Sequence, residues 1–279
     1  MNKIHNVGNE EIEINLLLEA IYQKYGYDFR NYSRPSLTRR IGNFLQNSKY
    51  QSIAEIIPDL LDDVTVLKNM INAISVTVTE MYRDPDFFKE TREKIFPYLK
   101  SYPRINIWHA GCATGEEVYS FAIMLFEEQL YDRCNIYATD MNEQSVNIAK
   151  EAIFPIDIIK IGTENYRKAG GKHSFTDYYY SKFDRVIIDN NLKNNITFST
   201  HNLVTDGCFN QMHIILCRNV LIYFNKDLQD QVLQLLTKSL LYNGIFCLGP
   251  KESIDFSSVS NDFETLSKIN KIYKKTKAR

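Results

Sequence analysis

The stretch Asn106-Ile-Trp-His-Ala-Gly-Cys-Ala-Thr-Gly-Glu-Glu-Val-Tyr-Ser120 decides the fold. A short apolar run enters a turn that contains Gly111 and Gly115, and a helix then opens on Glu116 and Glu117. Strand, glycine turn and helix in that order form the opening unit of a parallel α/β sheet. Outward from it, apolar runs of strand length recur at 105–108, 136–138, 196–198, 214–217 and 245–248. Helical spacing marks 116–129, 142–152, 157–168 and 226–241. Short apolar strands alternating with helices imply a parallel sheet covered on both faces. One interval breaks the alternation. Phe175, the tyrosines at 178–180 and the apolar run at 186–188 read as a small antiparallel insertion, placed at about 174–195. Residues 263–274 read as a closing strand pair.

The first 80 residues read as helix alone. Ile14, Leu17, Leu18, Ile21 and Tyr25 recur at helical spacing, and Gly26 can close that helix. Ser33 and Pro35 mark a second start, followed by Leu37, Ile41, Phe44 and Leu45 on one face. Two shorter amphipathic segments follow at 52–61 and 63–73. A small helical domain over 1–80 and an α/β domain over 81–279 are therefore expected.

Of 279 residues, 33 are Lys or Arg and 34 Asp or Glu, a net charge of −1 that gives no footprint for nucleic acid. No apolar run approaches the roughly 18 residues of a membrane span, and residues 1–6 lack the apolar stretch of a secretory signal. Cys112, Cys134, Cys208, Cys217 and Cys247 are odd in number and form no C-x-x-C pair, which argues against disulfides and structural zinc. The five histidines show no ligand spacing, so no metal is expected. The expectation is a reduced cytoplasmic protein without membrane insertion.

The glycines of the turn, Gly111 foremost, let a ligand approach the backbone closely. Their spacing is neither G-x-G-x-x-G nor G-x-x-x-x-G-K-[ST]. Two carboxylates stand where a phosphate would meet the helix N-terminus, so an anion is repelled and a cationic, amino-acid-like ligand suits the place. Taken alone, the loop fits equally well a tight turn whose acids merely cap a helix. Asp140, which ends Ile136-Tyr-Ala-Thr-Asp140 some 29 residues after Gly111, shifts the balance. An acid at the tip of the second strand of a doubly wound sheet binds the two hydroxyls of a ribose. Turn, glutamates and acid together describe a pocket for a nucleoside joined to an amino acid, which fits S-adenosylmethionine.

Further motifs carry a resemblance. They are Ile74-Ser-Val-Thr-Val-Thr-Glu-Met-Tyr-Arg-Asp84, Ala-Thr-Asp-Met-Asn at 138–142 and Phe198-Ser-Thr-His-Asn-Leu203. Cys217-Arg-Asn-Val-Leu-Ile-Tyr-Phe224 and Leu248-Gly-Pro-Lys-Glu-Ser253 complete the set. Over almost its whole length the chain resembles the chemotaxis receptor methyltransferases, the CheR family. The resemblance implies a Rossmann-like S-adenosylmethionine-dependent methyltransferase domain with a small antiparallel β-subdomain, preceded by an all-α domain that recognises the receptor. It implies methyl transfer to glutamate side chains on the cytoplasmic helices of chemoreceptors, with S-adenosylhomocysteine as product. It further implies cofactor contacts at Thr77, Thr79, Arg83, Glu117, Asp140, Asn202, Leu203, Arg218 and Asn219. Glu117 would meet the methionine amino group, Asp140 the ribose, and Asn202-Leu203 would flank the adenine. Arg83 and Tyr223 would stand beside the departing methyl group as the catalytic pair.

The sequence departs from the family in places. Thr77-Val78-Thr79 stands where members show Asn-Glu-Thr, and a hydroxyl cannot offer the NH₂ donor of an amide. The loop between Tyr180 and Val186 is short and lacks glycine, unlike members that dock on a receptor's C-terminal pentapeptide. No such tether is expected, and the chain is expected to act as a monomer. A glutamate acceptor, with a reference pKa of about 4.3, is already ionised and needs no general base. Alignment can then carry the rate, up to roughly 7–11 kcal/mol. Arg83 would hold the carboxylate in line and Tyr223 would hydrogen-bond its second oxygen. Arg39 and Arg40, clustered with Arg30 and Arg34 about the second helix, would steer acidic receptor helices; a plain solvated face is the alternative.

Rival readings remain. A nucleic-acid amine methyltransferase would show a Pro-Pro-aromatic motif where Arg218-Asn219-Val220 stands. A nicotinamide dehydrogenase lacks its glycine signature here. A cofactor-binding scaffold without turnover, or a methyltransferase for another protein substrate, shares every motif above.

Overall fold

The structure is a computed structural model that describes residues 8–77 and 79–277. The N-terminal stretch 1–6, Val78 and the final Arg279, all used in the sequence reading, lie outside the described residues. The chain divides into two units: Met1–Val76 with Ile222–Gln229, and Thr77–Leu221 with Asp230–Arg279.

In the first unit, α1 (Asn9–Tyr25) buries Ile14, Leu17, Leu18 and Ile21. It ends where Gly26, at φ 78°, takes the left-handed cap and donates to the Tyr22 carbonyl. Helix α2 (Arg34–Gln46) starts with Pro35 in its first turn, where a missing N–H costs nothing. Helices α3 (Ile56–Asp62) and α4 (Val64–Ile74) are separated by Asp63, whose side chain accepts from the Thr65 N–H and caps α4. The segment 222–229 joins these helices through backbone hydrogen bonds. Ser33 N–H donates to Tyr223 O (2.7 Å) and Asn225 N–H to Asn31 O (2.9 Å). The Tyr32 and Phe224 rings meet edge to face at 4.9 Å.

The second unit starts with α5 (Pro85–Glu90) and α6 (Phe96–Leu99) and then alternates. Its elements are β1 (Ile105–Ala110), α7 (Glu116–Glu127), β2 (Cys134–Asp140), α8 (Glu143–Glu151), β3 (Ile153–Pro155) and α9 (Ile156–Lys168). There follow β4 (Tyr179–Lys182), β5 (Arg185–Ile188), β6 (Ile196–Thr200) and β7 (Met212–Cys217). Helix α10 (Lys226–Ser239), β8 (Leu240–Leu248), β9 (Phe263–Ser267) and β10 (Ile272–Lys275) close the chain.

Seven strands form one sheet in the order β6-β2-β1-β7-β8-β10-β9. The first five run parallel and β10 and β9 pair antiparallel at the edge, as the closing strand pair required. Residues of β1 and β7 are almost all buried, in keeping with a central parallel strand. The strand order reverses beside β1, so the C-terminal tips of β1, β2 and β7 form the crevice in which such sheets bind ligands.

The small antiparallel sheet has the order β3-β5-β4. Its third strand is β3, upstream of the 174–195 interval in which the sequence places the insertion. Three residues ending in proline carry too little periodicity to read as a strand; pairing with β5 makes them one. Among the described residues, no helix is long and apolar enough to cross a membrane.

Candidate functional site

The turn after β1 is clamped to the end of β2. Gly111 and Cys112 both donate to the Thr139 carbonyl, at 2.8 and 2.9 Å. Gly111 has φ 81°, and a Cβ there would lie 2.5 Å from Cγ2 of Val220, so no larger residue fits. Ala113 N–H donates to Oδ2 of Asp140 and Asn142 N–H to Oδ1, each at 2.9 Å. Burial pushes the Asp140 carboxyl up, and these N–H groups pull part of the shift back. Asp140 thus ties the glycine turn to the start of α8, at the tip of β2. Its own carbonyl accepts from His201 N–H (3.0 Å). That bond hangs the 201–206 loop from the same tip. Within the loop, Asn202 Oδ1 accepts from Val204 N–H and Asn202 N–H donates to Asp206, while Leu203 is half-buried.

The two acids that open α7 diverge, since neighbours on a helix point about 100° apart. Glu116 turns inward, is 2 % exposed, accepts from Thr114 Oγ1 at 2.7 Å and is pushed up by burial. Glu117 faces the tips of β1 and β7. Its Oε2 accepts from Arg218 Nη1 at 2.8 Å, and its Oε1 lies 3.1 Å from Nδ1 of His109 on β1. Burial pushes the Glu117 carboxyl up, but Arg218 and His109 more than offset it and hold it below its usual value. Arg218 leads on to Asp84: Nη2 meets Oδ2 at 2.8 Å, and the guanidinium lies 3.9 Å over the Phe87 ring. The neighbouring Asn219 is held at φ 62°, and Oε2 of Glu252 accepts both its N–H (2.9 Å) and that of Gly249 (2.6 Å).

The turn before α5 is strained. Tyr82 and Asp84 both have positive φ, 53° and 58°, in the region side chains disfavour. Arg83 stands between them, half-buried and with no ion pair among the described residues. Thr77 is exposed and Thr79 half-buried.

In the first unit, Arg40 donates to Ser36 Oγ (3.3 Å) and Ser75 O (3.4 Å), and its guanidinium lies 5.7 Å from the Tyr223 ring. Burial pushes its pKa down. The four arginines do not share one basic face. Arg30 pairs with Asp28 and Glu19, Arg34 reaches Asn15, and Arg39 is exposed. The structure thus brings together Gly111, Glu117, Asp140, Asn202, Arg218 and Asn219 in one unit, and Arg40 with Tyr223 in the other.

Sequence reasoning missed His109, Asp84 and Glu252. His109 lies inside the diagnostic stretch but reads as one more buried strand residue, and Asp84 reads as a helix start. Glu252 belongs to a quoted motif to which no role was attached.

Asp84, Arg218 and Glu117 together carry one net negative charge, next to a turn that only glycine allows and an acid at the neighbouring strand tip. That arrangement fits the cationic amino-acid end and the ribose of S-adenosylmethionine. Fold and site together define a S-adenosylmethionine-dependent methyltransferase.

Comparison with known proteins agrees. Residues 77–272 match the CheR methyltransferase SAM binding domain, and residues 12–75 match the CheR methyltransferase all-alpha domain. The chain belongs to the CheR methyltransferase family. It is 46 % identical over 268 residues to the putative methyltransferase Cher3 of Pseudomonas putida, covering 96 % of this chain and 98 % of that one. It is 28 % identical over 237 residues to a chemotaxis protein methyltransferase of Listeria monocytogenes, covering 84 % of this chain and 87 % of that one. Among solved structures, the N-methyltransferase NodS of Bradyrhizobium japonicum with S-adenosylhomocysteine is similar over 58 % of this chain and 61 % of that one. The identity there is 14 % and the TM-score 0.31.

Proposed function

We propose that this chain methylates glutamate side chains on the cytoplasmic helices of chemoreceptors, forming methyl esters. The observation that carries the reading is the half-buried Arg83 guanidinium, which forms no ion pair among the described residues and is set in a strained turn beside the net-negative cofactor network. A cation held out of ion pairs suits a carboxylate acceptor and would serve an amine acceptor poorly. Chemotaxis methyltransferases among the relatives point the same way.

Glu117, fixed by Arg218 and His109, holds the ammonium of the methionine part. Asp140 holds the ribose hydroxyls, and the loop that begins at Asn202-Leu203 flanks the adenine. When bound, the cofactor supplies a methyl carbon on a sulfonium, so an oxygen–carbon bond forms as the carbon–sulfur bond breaks and a neutral thioether remains. Arg83 orients the ionised carboxylate. Tyr223, the other half of the expected catalytic pair, belongs to the other unit, where its phenol lies beside Arg40. Arg39 presents positive charge to an acidic helix. The β4–β5 connection is only the two residues Phe183 and Asp184, which supports recognition without a C-terminal peptide tether.

The test is transfer of a tritiated methyl group to purified receptor cytoplasmic fragments, with the ester positions mapped by mass spectrometry. Base-labile label on glutamates supports the reading. Tight cofactor binding with no label on any fragment would favour the scaffold instead.

A further inference from the structure

We infer that His109 is a positioning residue for cofactor recognition: its Nδ1–H orients the Glu117 carboxylate toward the ammonium group of the bound amino-acid moiety. The inference rests on the role proposed for Glu117. His109 is set on β1, one residue before the strand ends, and its side chain is 1 % exposed. Nδ1 lies 3.1 Å from Oε1 of Glu117, and an ionised carboxylate only accepts, so the shared proton sits on Nδ1. Nε2 is buried with no hydrogen-bond partner, beside the Phe121 ring at 5.4 Å between centroids. The ring therefore meets the site through one nitrogen and fixes one oxygen.

Glu117 offers about four acceptor positions over its two oxygens. Arg218 occupies one on Oε2 and His109 one on Oε1, which leaves a second lone pair on each. With both oxygens pinned, the carboxylate plane cannot turn, and the remaining lone pairs keep their direction.

Calorimetric titration with two probes tests this. S-adenosylhomocysteine carries the ammonium; 5′-methylthioadenosine keeps the adenosine and thioether but lacks the amino-acid part. His109→Leu is expected to weaken S-adenosylhomocysteine about tenfold, the scale of one charge-assisted hydrogen bond, and to leave methylthioadenosine within about twofold. His109→Asn, which keeps an N–H donor near the Nδ1 position, is expected to restore most of the loss. Equal weakening of both probes, or no weakening of either, overturns the inference. If His109→Leu does not fold, His109→Ala is measured against the same two outcomes. Glu117→Gln separates the two claims. If it fails to distinguish the probes, the role of Glu117 falls; if it distinguishes them while the His109 variants do not, only the inference about His109 falls.

Discussion

Arg83 sits between two residues whose backbones adopt the left-handed region at some cost, Tyr82 at φ 53° and Asp84 at φ 58°. Both are anchored. Tyr82 is fully buried and its N–H donates to Ser120 Oγ at 2.9 Å, while Asp84 pairs with Arg218. These anchors fix the backbone on either side, and among the described residues the arginine forms no ion pair. Arg83→Ala is expected to lower the methyl-transfer rate about 100-fold, the scale of losing one preorganised charged contact. The dissociation constant of S-adenosylhomocysteine should stay within about threefold. Single-turnover kinetics beside calorimetry would show the split, and an unchanged rate would remove Arg83 from the chemistry. At this scale the sequence identified the charged residues but not their partners. Glu117 and Asp140 were legible from their types and spacing, and Arg218 through the resemblance that its motif carries. Their link through His109 and Asp84 was not, because it joins residues up to 134 positions apart.

Two strand ends are held by one carboxylate. Glu252 follows β8 and accepts the N–H of Asn219, just past β7, and the N–H of Gly249, just past β8. It is 5 % exposed, and the Gly249 N–H is buried with it while Asn219 is half-buried. Glu252→Ala would take the acceptor from both donors, at a cost of about 1–3 kcal/mol for the buried Gly249 N–H and less for that of the half-buried Asn219. The expected fall in melting temperature is roughly 4–12 °C, with weaker cofactor binding because Asn219 is released. Glu252→Gln keeps one acceptor oxygen and should recover most of the stability. Differential scanning fluorimetry with and without S-adenosylhomocysteine would read both, and a melting temperature unmoved by the alanine variant would refute the role. Elements with clear periodicity were placed from sequence: α1, α2, α7 and the strands β1, β2, β6, β7 and β8 all fall within a few residues of expectation. The three-residue β3 was not, since a strand that short exists only through its partner β5.

On the scale of the whole chain, net charge is close to zero and long-range attraction must come from local groups. Arg39 is exposed, whereas Arg30 is paired with Asp28 and Glu19 and Arg40 is engaged with Ser36 and Ser75. Arg39→Glu is therefore expected to lower kcat/KM for receptor fragments a few-fold at low salt. The loss should fade near 0.5 M salt, where screening acts over only a few ångströms. A loss that persists at high salt would indicate direct contact instead of steering. A double reversal at Arg39 and Arg40 is less informative, because Arg40 also braces the neighbourhood of Tyr223.

The sequence by itself determined the alternation of strands and helices, the glycine turn, the acid at the tip of β2 and the all-helical character of the N-terminal domain. Each of these is written in local spacing: hydrophobic period, glycine at positive φ, charge at a helix start. Tertiary structure alone decided that 222–229 pairs with the helices through Ser33 and Asn31, and that the small sheet recruits β3. It also decided that Glu116 and Glu117 part, one buried against its own turn and the other ion-paired. Those outcomes depend on which distant backbone groups and charges meet. Burial makes an unpaired group costly wherever it lies along the chain, so partners are selected by proximity in space.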